Sequence, residues 1–154
     1  MTTPAYAAHE IQTAESTRSA RLKWVVIVDR DMPPGRMVNA VACISATTGA
    51  FVDGLIAHGG PDADGIQHPG LPWAGCTVLA ASAEKLANTR AKAVATAGML
   101  VVDMPSSAQS NRVYDDYLHE LSATPLSELR VNAVSIVGDR AEVESIVKRL
   151  SLLV

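Results

Sequence analysis

The run KWVVIV, Lys23–Val28, constrains the fold more than any other feature of the sequence. A half-exposed strand alternates apolar and polar residues, whereas this run is apolar from Trp24 onward. Both faces of the strand must therefore be covered, as in a parallel or mixed sheet that lies between layers of helices. Aromatic residues make up only 4% of the chain. Ala, Val and Leu must therefore build the core, which also favours helices packed closely on a sheet.

A turn and a helix are predicted directly after this strand. Asp29–Gly35 carries two prolines and a glycine. Pro33 keeps the residue before it out of the helical region, so the helix is predicted to begin at Pro33 or Pro34. It is predicted to end near Thr48, with Gly49 as its C-terminal cap.

The rest of the chain alternates strand and helix signals. Short apolar runs predict three more strands, at Cys76–Ala80, Met99–Val102 and Leu129–Val137. Helical spacing predicts a helix at Ala83–Ala97, after an N-cap at Ser82, and another at Ser107–Leu121. A last helix is predicted after an Asp139–Glu142 capping box, and its apolar side carries Val143, Ile146, Val147 and Leu150. The strand–helix–strand order in the middle predicts that these two strands run parallel with a right-handed crossover. The predicted fold class is α/β, a three-layer α/β/α domain with a small mixed sheet of about four strands.

A chain of 154 residues suits one domain. Residues 1–20 are rich in Ala, Thr and Ser and lack the apolar centre of a secretory signal, so they predict a mobile tail. A single α/β domain is predicted at residues 21–154. Within it, Phe51–Trp73 interleaves glycines with prolines and predicts a long irregular loop, with one short strand near Phe51–Ile56.

Charge and composition argue against several functions. A net charge of −3 disfavours nucleic-acid binding, because such proteins usually carry a basic excess. No apolar run approaches the roughly 20 residues that span a bilayer. No membrane association is expected, and the cytoplasm is the expected compartment. The sequence contains no phosphate-binding loop and no dinucleotide fingerprint, so no cofactor is predicted.

A metal site is not predicted either. GGPDADG, residues 59–65, contains a D-x-D-G fragment, but the further ligands of an EF-hand loop do not follow it. His58 and His68 flank this segment, and a zinc site needs three or four ligands. The two cysteines, Cys43 and Cys76, lack the CxxC spacing of zinc sites. We expect surface histidines here.

One side of the predicted first helix carries four residues at helical spacing, Arg36, Asn39, Cys43 and Thr47. Two interpretations are open. This side is either a solvated surface with Cys43 packed as a small apolar group, or the wall of a cleft at the strand ends, where ligands bind in open α/β sheets. In the second case Cys43 is a candidate nucleophile. It would then need a base such as His58 or His68 within hydrogen-bond reach.

Acidic residues follow two of the predicted strands. Asp29 and Asp103 each come directly after an apolar run. If the two strands run in the same direction, both carboxylates lie at one edge of the sheet, where they can orient a base, bind a cation or accept from a ligand amine. The alternative is structural, with Asp31 helping to cap the first helix and Asp103 closing a turn at Pro105.

Three segments together resemble a known family. KWVVIVDRDMPPGRMVNAVACISATTG, DADGIQHPGLPWAGCTVLAASAEKL and VVDMPSSAQSN look like the domain-of-unknown-function 2000 family, from Lys23 to the end of the chain. That family shares its fold with type 2 peptidyl-tRNA hydrolases, so the resemblance implies a similar fold here. Those enzymes use a Gly-Lys pair, a helix bearing Gln and His, and an acid after the third strand.

The resemblance implies that part of this hydrolase pattern is kept. The Gly-Lys pair falls on Gly35 and Arg36, which keeps a positive charge, and the acid falls on Asp103. The hydroxyl after that acid corresponds to Ser106 or Ser107. Polar residues from both arguments make up the predicted ligand-binding set, which is Arg36, Asn39, Asp29, Ser107 and Gln109.

Two polar groups of the pattern are lost, because the Gln position falls on Ala40 and the His position on Cys43. Peptidyl-tRNA hydrolysis is therefore not expected. One hypothesis is a diverged hydrolase for a small ester, amide or thioester, with Asp103 as base or orienter and Cys43 as nucleophile or cleft wall. The other is a non-catalytic module that holds a small molecule or a protein in the same cleft. A homodimer is also an open expectation, because the Val- and Leu-rich strands need cover on both faces.

Overall fold

The computed structural model describes residues 3–154, and its main elements are seven strands and five helices. The strands are β1 (Leu22–Asp29), β2 (Gly60–Pro61), β3 (Gln67–His68), β4 (Thr77–Ala81), β5 (Leu100–Pro105), β6 (Val131–Asp139) and β7 (Ser151–Leu152). The helices are α1 (Pro34–Phe51), α2 (Ala83–Ala95), α3 (Ser106–Ser110), α4 (Tyr114–Ala123) and α5 (Arg140–Val147). Two short 3-10 turns, Ala8–Glu10 and Thr17–Ser19, precede β1.

Five strands form one mixed sheet in the order β5-β6-β1-β4-β7. β1 runs parallel to β4 and antiparallel to β6, and β5 runs antiparallel to β6. β1 is therefore central, and the residues from Val25 to Val28 are completely buried, as the unbroken apolar run predicts. The sheet has one strand more than the predicted number, because Ser151–Leu152 pairs with the free edge of β4.

The two strands in the middle of the chain are parallel, as predicted, but they are not neighbours in the sheet. β4 and β5 run in the same direction, but β6 and β1 lie between them. Every residue of β6 from Val131 to Gly138 is buried, so this strand needs cover on both faces and takes an interior position. β5 contains Asp103 and ends at Pro105, and a proline that cannot donate to a neighbour suits an edge strand.

Helices cover both faces of the sheet. On one face α1 packs against β5, β6 and β1, with Ile44 and Val26 in a shared core. On the other face α2 and α5 pack against β1 and β6, with Leu86 and Val143 against Ile27. Successive residues of β1 therefore contribute to two separate cores, which explains why the run shows no alternation.

Three buried polar side chains fasten α1 to the sheet. Trp24 Nε1 donates to Ser135 Oγ at 2.8 Å, and Ser135 Oγ lies 2.7 Å from Thr48 Oγ1. Thr48 Oγ1 also donates to the Ile44 carbonyl oxygen at 2.7 Å. A hydroxyl has only one proton, so Ser135 must be the donor to Thr48. All three side chains are thus satisfied inside an apolar layer.

α1 continues past its predicted end. Gly49 lies inside the helix, which ends at Phe51, and the Val52 N–H donates to the Thr48 carbonyl oxygen at 3.0 Å. The extra turn places Val52 in the core, where it is 2% exposed. The chain then turns at Gly54, whose φ of 74° lies in the left-handed region that glycine adopts without strain.

Two helices, α3 and α4, replace the single helix predicted at Ser107–Leu121. The break falls at Asn111, whose backbone is extended. Asn111 Nδ2 donates to the Ser107 carbonyl oxygen at 3.1 Å and to Glu120 Oε2 at 2.8 Å. An asparagine side chain that bonds nearby backbone groups competes with the helix, so it ends α3 here and fastens α4.

The segment before β1, for which the sequence predicts a mobile tail, lies against the domain. Tyr6 is 6% exposed, and its ring centroid lies 4.9 Å from that of Trp73. Its Oη donates to the Leu22 carbonyl oxygen at 3.2 Å. Glu10 forms an ion pair with Arg21 on the way into β1. The first two residues of the predicted tail lie outside the described residues.

The predicted loop at Phe51–Trp73 contains the β2–β3 hairpin and no strand near Phe51–Ile56. A single bridge between Ile56 and Pro72 closes its base. The chain crosses itself closely there, because a Cβ atom at Gly70 would lie 1.7 Å from the Ala57 carbonyl oxygen. None of the helices within residues 3–154 combines the length and the apolar character that spanning a bilayer would require.

Candidate functional site

A cavity of about 350 Å³ lies between the second half of α1, the edge strand β5 and the α3–α4 turn. Much of its wall is apolar. The polar or weakly polar side chains that border it are Cys43, Thr47, Asp103, Asn111, Arg112, Tyr114 and Tyr117. Cys43 and Asp103 lie far apart in the sequence, and each is a predicted site residue. Both border this cavity.

Asp103 is a largely buried carboxylate that is held through one oxygen only. Arg90 of α2 places its Nε 2.8 Å and its Nη2 2.6 Å from Asp103 Oδ2. Asp103 Oδ1 is buried and has no hydrogen-bond partner among residues 3–154. Leaving a buried acceptor unpaired costs free energy, so a donor brought to this oxygen would be stabilised there.

The position of Asp103 follows from the strand register. Asp103 lies opposite Val134, which in turn lies opposite Ile27, so its side chain shares the sheet face of α2. Cys43 belongs to α1, which covers the other face. The cavity reaches both because β5 is at the edge of the sheet.

Two tyrosines form the outer wall of the cavity. The rings of Tyr114 and Tyr117 meet edge to face, with centroids 5.5 Å apart. Burial raises the pKa of the Tyr117 phenol, and the neighbouring Tyr114 and the negative charge of Asp103 raise it further. The Tyr117 hydroxyl therefore remains protonated at neutral pH and can donate a hydrogen bond.

Cys43 has an exposed thiol but no partner that would activate it. No histidine within residues 3–154 borders the cavity. His58 and His68, the bases considered from the sequence, belong to the hairpin region, where His68 Nε2 lies 3.2 Å from Asp62 Oδ2. A cysteine nucleophile needs a base within hydrogen-bond reach, and no base within residues 3–154 is hydrogen-bonded to the Cys43 thiol.

Two predicted ligand-binding residues, Asn39 and Gln109, contact each other instead of bordering the cavity. Gln109 Nε2 donates to Asn39 Oδ1 and to the Arg36 carbonyl oxygen, both at 2.9 Å. Gln109 Oε1 accepts from Asn132 Nδ2 at 2.7 Å, and Asn132 Oδ1 accepts from Ser106 Oγ at 2.7 Å. This amide network uses both hydrogens of the Gln109 amide and locks α3 onto α1 and β6.

The other predicted residues lie apart from the cavity. Asp29 is 1% exposed. Its Oδ1 accepts from the Asp31 N–H at 3.1 Å and its Oδ2 lies 3.6 Å from Arg130 Nη2, so it organises the turn after β1. Ser107 offers its backbone carbonyl oxygen to the Asn111 N–H. The Arg36 guanidinium is exposed and forms no ion pair with any part of the chain that the structure describes.

Sequence reasoning missed Arg90 and Asn132. Arg90 lies four residues after Leu86 and three before Ala93 on the buried side of α2, so a basic residue within an apolar stripe is the signal that could have identified it. Asn132 is a polar residue inside an apolar strand and is only 5% exposed. Such a residue needs a partner, and the structure provides two.

Within residues 3–154, no three His, Cys, Asp or Glu side chains come close enough together to hold a metal ion.

Comparison with known proteins gives a family. The sequence profile described as "Protein of unknown function (DUF2000)" matches residues 22–154. The chain belongs to this family. The match begins at the first residue of β1, so the DUF2000 region includes every strand and helix that borders the cavity. A search of curated proteins finds no match.

The DUF2000 domain is also similar to a solved structure, that of the protein of unknown function Atu0240 from Agrobacterium tumefaciens strain C58. The two align with a TM-score of 0.76 and 18% sequence identity, over 87% of this chain and 98% of the other. At this identity the likeness shows a shared fold and carries no function. The similarity to type 2 peptidyl-tRNA hydrolases stays a prediction.

Proposed function

We propose that the DUF2000 domain binds a small molecule in the cavity beside Asp103 and does not transform it. The ligand would have an apolar body and an N–H or O–H group that donates to Asp103 Oδ1. The observation that supports this is the buried carboxylate oxygen without a partner, on a residue that borders the cavity. Buried polar groups in folded proteins are nearly always hydrogen-bonded, and a functional role is one reason for an exception.

The cavity has the composition of a small-molecule site. Its volume of about 350 Å³ lies at the lower end of the range for ligand pockets. Ile44, Val102 and Met104 supply apolar surface from α1 and β5. Asp103 would accept from the ligand, and the Tyr117 hydroxyl would donate to an acceptor on it. In such a site, a small number of polar groups within an apolar wall fix the orientation of the ligand.

The hydrolase hypothesis remains the second candidate, supported by the same carboxylate. Arg90 orients Asp103 and leaves Oδ1 without a partner among residues 3–154. In this hypothesis Asp103 is the base that takes a proton from water attacking a small ester, amide or thioester. Two observations favour binding over this reaction. Cys43 has no base, and Arg36, expected to hold an anionic group of the substrate, does not border the cavity.

Peptidyl-tRNA hydrolysis receives no support from this geometry. The resemblance puts Ala40 at the position of the glutamine in those enzymes, and Ala40 is completely buried in the core of the α1 face. A larger amide at this position would have to displace packed side chains. Cys43 supplies a thiol where the enzymes have an imidazole.

Ligand-observed NMR with a library of small amines, amides and alcohols would test the binding proposal. Compounds that bind wild type should bind Asp103→Asn at least about tenfold more weakly if they carry a positive charge. They should also be excluded by Ala108→Phe, which fills the cavity without touching the ion pair. Asp116→Asn, on the same helix as Tyr117 but away from the cavity, is the matched control. Compounds that bind Asp103→Asn and Ala108→Phe as tightly as they bind wild type would contradict the proposal.

A panel of small ester, amide and thioester substrates separates the two candidates. We expect no turnover above that of the buffer. Turnover by wild type that is lost in Asp103→Asn and retained in Asp116→Asn would support the hydrolase hypothesis instead. Circular dichroism of each variant would establish that the fold is unchanged.

A further inference from the structure

The basic residues of this acidic chain are unevenly engaged. Ion pairs occupy Arg21, Lys23, Arg90, Arg130 and Arg140. Five of the basic side chains that form no ion pair within residues 3–154 border two adjoining cavities. These side chains are Arg30, Lys85, Lys92, Lys148 and Arg149. The first cavity lies at the β4–β7 edge of the sheet, opposite the β5 edge that carries Asp103. Unpaired positive charge is therefore concentrated on one side of a protein whose net charge is −3.

The first of these cavities is a groove of about 650 Å³ between the start of α1, the end of β4 and the segment that carries β7. Three cations border it, namely Arg30, Lys85 and Arg149. Its remaining wall is mostly aliphatic and includes Met37, Val38, Leu150, Leu152 and Leu153. Val38 is 69% exposed and Leu152 is 61% exposed, so this apolar surface is open to a ligand.

The second cavity, of about 630 Å³, lies between α2 and α5 and is more polar. Lys92 and Lys148 border it together with Lys85 and Arg149, which also border the first cavity. The two cavities adjoin at Lys85 and Arg149, and together we call them the basic groove. Within residues 3–154, no aspartate or glutamate and no aromatic side chain borders either part of it.

We propose that the basic groove binds a phosphate ester with an aliphatic chain. The phosphate would lie between Lys85 and Arg149, the two cations common to both cavities, and the chain would lie on the aliphatic wall beside Val38. This site is separate from the cavity at Asp103, so it neither depends on the proposed function nor supports it.

Charge and surface chemistry both favour this ligand. Cations that share a cavity wall with no aspartate or glutamate among residues 3–154 attract anions, and an arginine next to a lysine provides several donors for phosphate oxygens. α1 begins at Pro34, which borders the groove, so the positive end of an 18-residue helix adds to the potential. The aliphatic wall adds a favourable term for each buried methylene group.

A nucleic acid fits the groove less well. Proteins that bind single strands usually stack bases on aromatic side chains, and no aromatic residue borders the groove within the part of the chain that the structure describes. The cations also line concave cavities, whereas a duplex needs an extended basic face.

Isothermal titration calorimetry at low ionic strength would test the proposal with octyl phosphate below its micelle concentration, inorganic phosphate and octyl glucoside. Octyl phosphate should bind wild type at least about tenfold more tightly than either of the other two. The double variant Lys85→Gln/Arg149→Gln should lose at least about tenfold in affinity for octyl phosphate. Arg18→Gln, which removes an exposed cation elsewhere, should change nothing.

A second variant separates the two halves of the site. Val38→Ser should weaken octyl phosphate binding and leave inorganic phosphate binding unchanged, because it alters only the aliphatic wall. Unchanged octyl phosphate affinity in Lys85→Gln/Arg149→Gln would overturn the proposal. So would a single-stranded oligonucleotide that binds wild type more tightly than octyl phosphate and loses that binding in the double variant.

Discussion

Arg90 and Asp103 form an ion pair in which both guanidinium contacts fall on one carboxylate oxygen, at 2.8 and 2.6 Å. The contact joins α2 to the edge strand β5, and the two side chains are only 18% and 19% exposed. It therefore has two effects. It anchors the edge of the sheet, and it leaves the second oxygen of Asp103 without a hydrogen-bond partner among residues 3–154.

Replacing Arg90 tests the structural effect. Arg90→Met keeps most of the aliphatic stem but leaves the Asp103 carboxylate unpaired in a largely buried position. We expect a loss of about 1–3 kcal/mol in the free energy of unfolding, below the range for fully buried pairs because solvent screens part of the interaction. Urea denaturation at neutral pH measures it. Lys92→Met, an exposed unpaired lysine on the same helix, should change stability by less than about 0.5 kcal/mol.

Replacing Gln109 tests the contribution of the amide network to stability. Gln109→Met is close to isosteric and removes the hydrogen bonds to Asn39, Arg36 and Asn132 together. Asn132 then keeps a buried amide without its partner, so we expect a loss of about 1–3 kcal/mol in stability. Hydrogen exchange should also speed up across α3. The same exchange rates in Gln109→Met and in the control Ser110→Ala would show that the network does not hold α3.

Ser135 tests how α1 is fastened to the sheet. Ser135→Ala leaves the buried Trp24 Nε1 without an acceptor, and we expect a loss of about 1–3 kcal/mol. Thr48→Val should cost less, because Trp24 keeps its bond to Ser135. Thermal unfolding of the two single variants and the double variant gives their coupling. Additive effects would mean that the three side chains do not act as one unit.

The ionisation of Glu10 should make the stability of the protein depend on pH. Its pKa is lowered from 4.5 to about 2, chiefly because Arg21 donates to the carboxylate and also because the Ala7 N–H does. The folded state therefore holds Glu10 ionised where the unfolded chain takes up a proton. The stabilisation is present above pH 4.5 and is lost as the pH falls toward about 2.

Glu10→Gln should accordingly lower the melting temperature at pH 7, and the difference from wild type should shrink as the pH is lowered through that window. Glu15→Gln, in the same segment and without an ion pair, is the control. A difference that stays constant down to pH 2 would mean that the Arg21 contact does not depend on the charge of Glu10.

Local features of the fold could be predicted from the sequence, and long-range pairing could not. The position of β1, the start of α1 at the prolines and the Ser82 N-cap of α2 follow from nearby residues, and Ser82 Oγ does accept from the Lys85 N–H at 3.4 Å. The place of β6 does not, because apolar residues alone do not specify which neighbours a buried strand chooses. The break at Asn111 was missed since it depends on a bond to Glu120, nine residues further on.

The same distinction holds for the candidate site. Asn39 and Gln109 were both predicted to bind a ligand, whereas in the structure the two side chains bond each other. Asp103 was picked out as an acid after a strand, but its partner Arg90 required knowledge of how α2 crosses β5. The sequence pattern identified the polar residues, but their hydrogen-bond partners depend on tertiary packing.

The interior position of β6 has a consequence for how the chain assembles. β5 contacts the rest of the sheet through β6 alone, and β6 begins only at Val131. During synthesis, β1, β4 and their helices can therefore gather before β5 has a place to bind. The step that completes the sheet pairs residues more than 100 positions apart, such as Trp24 with Val137, and contacts of such separation make folding slow. A ribosome-bound chain that lacks β6 would expose the free edge of β1 to other chains.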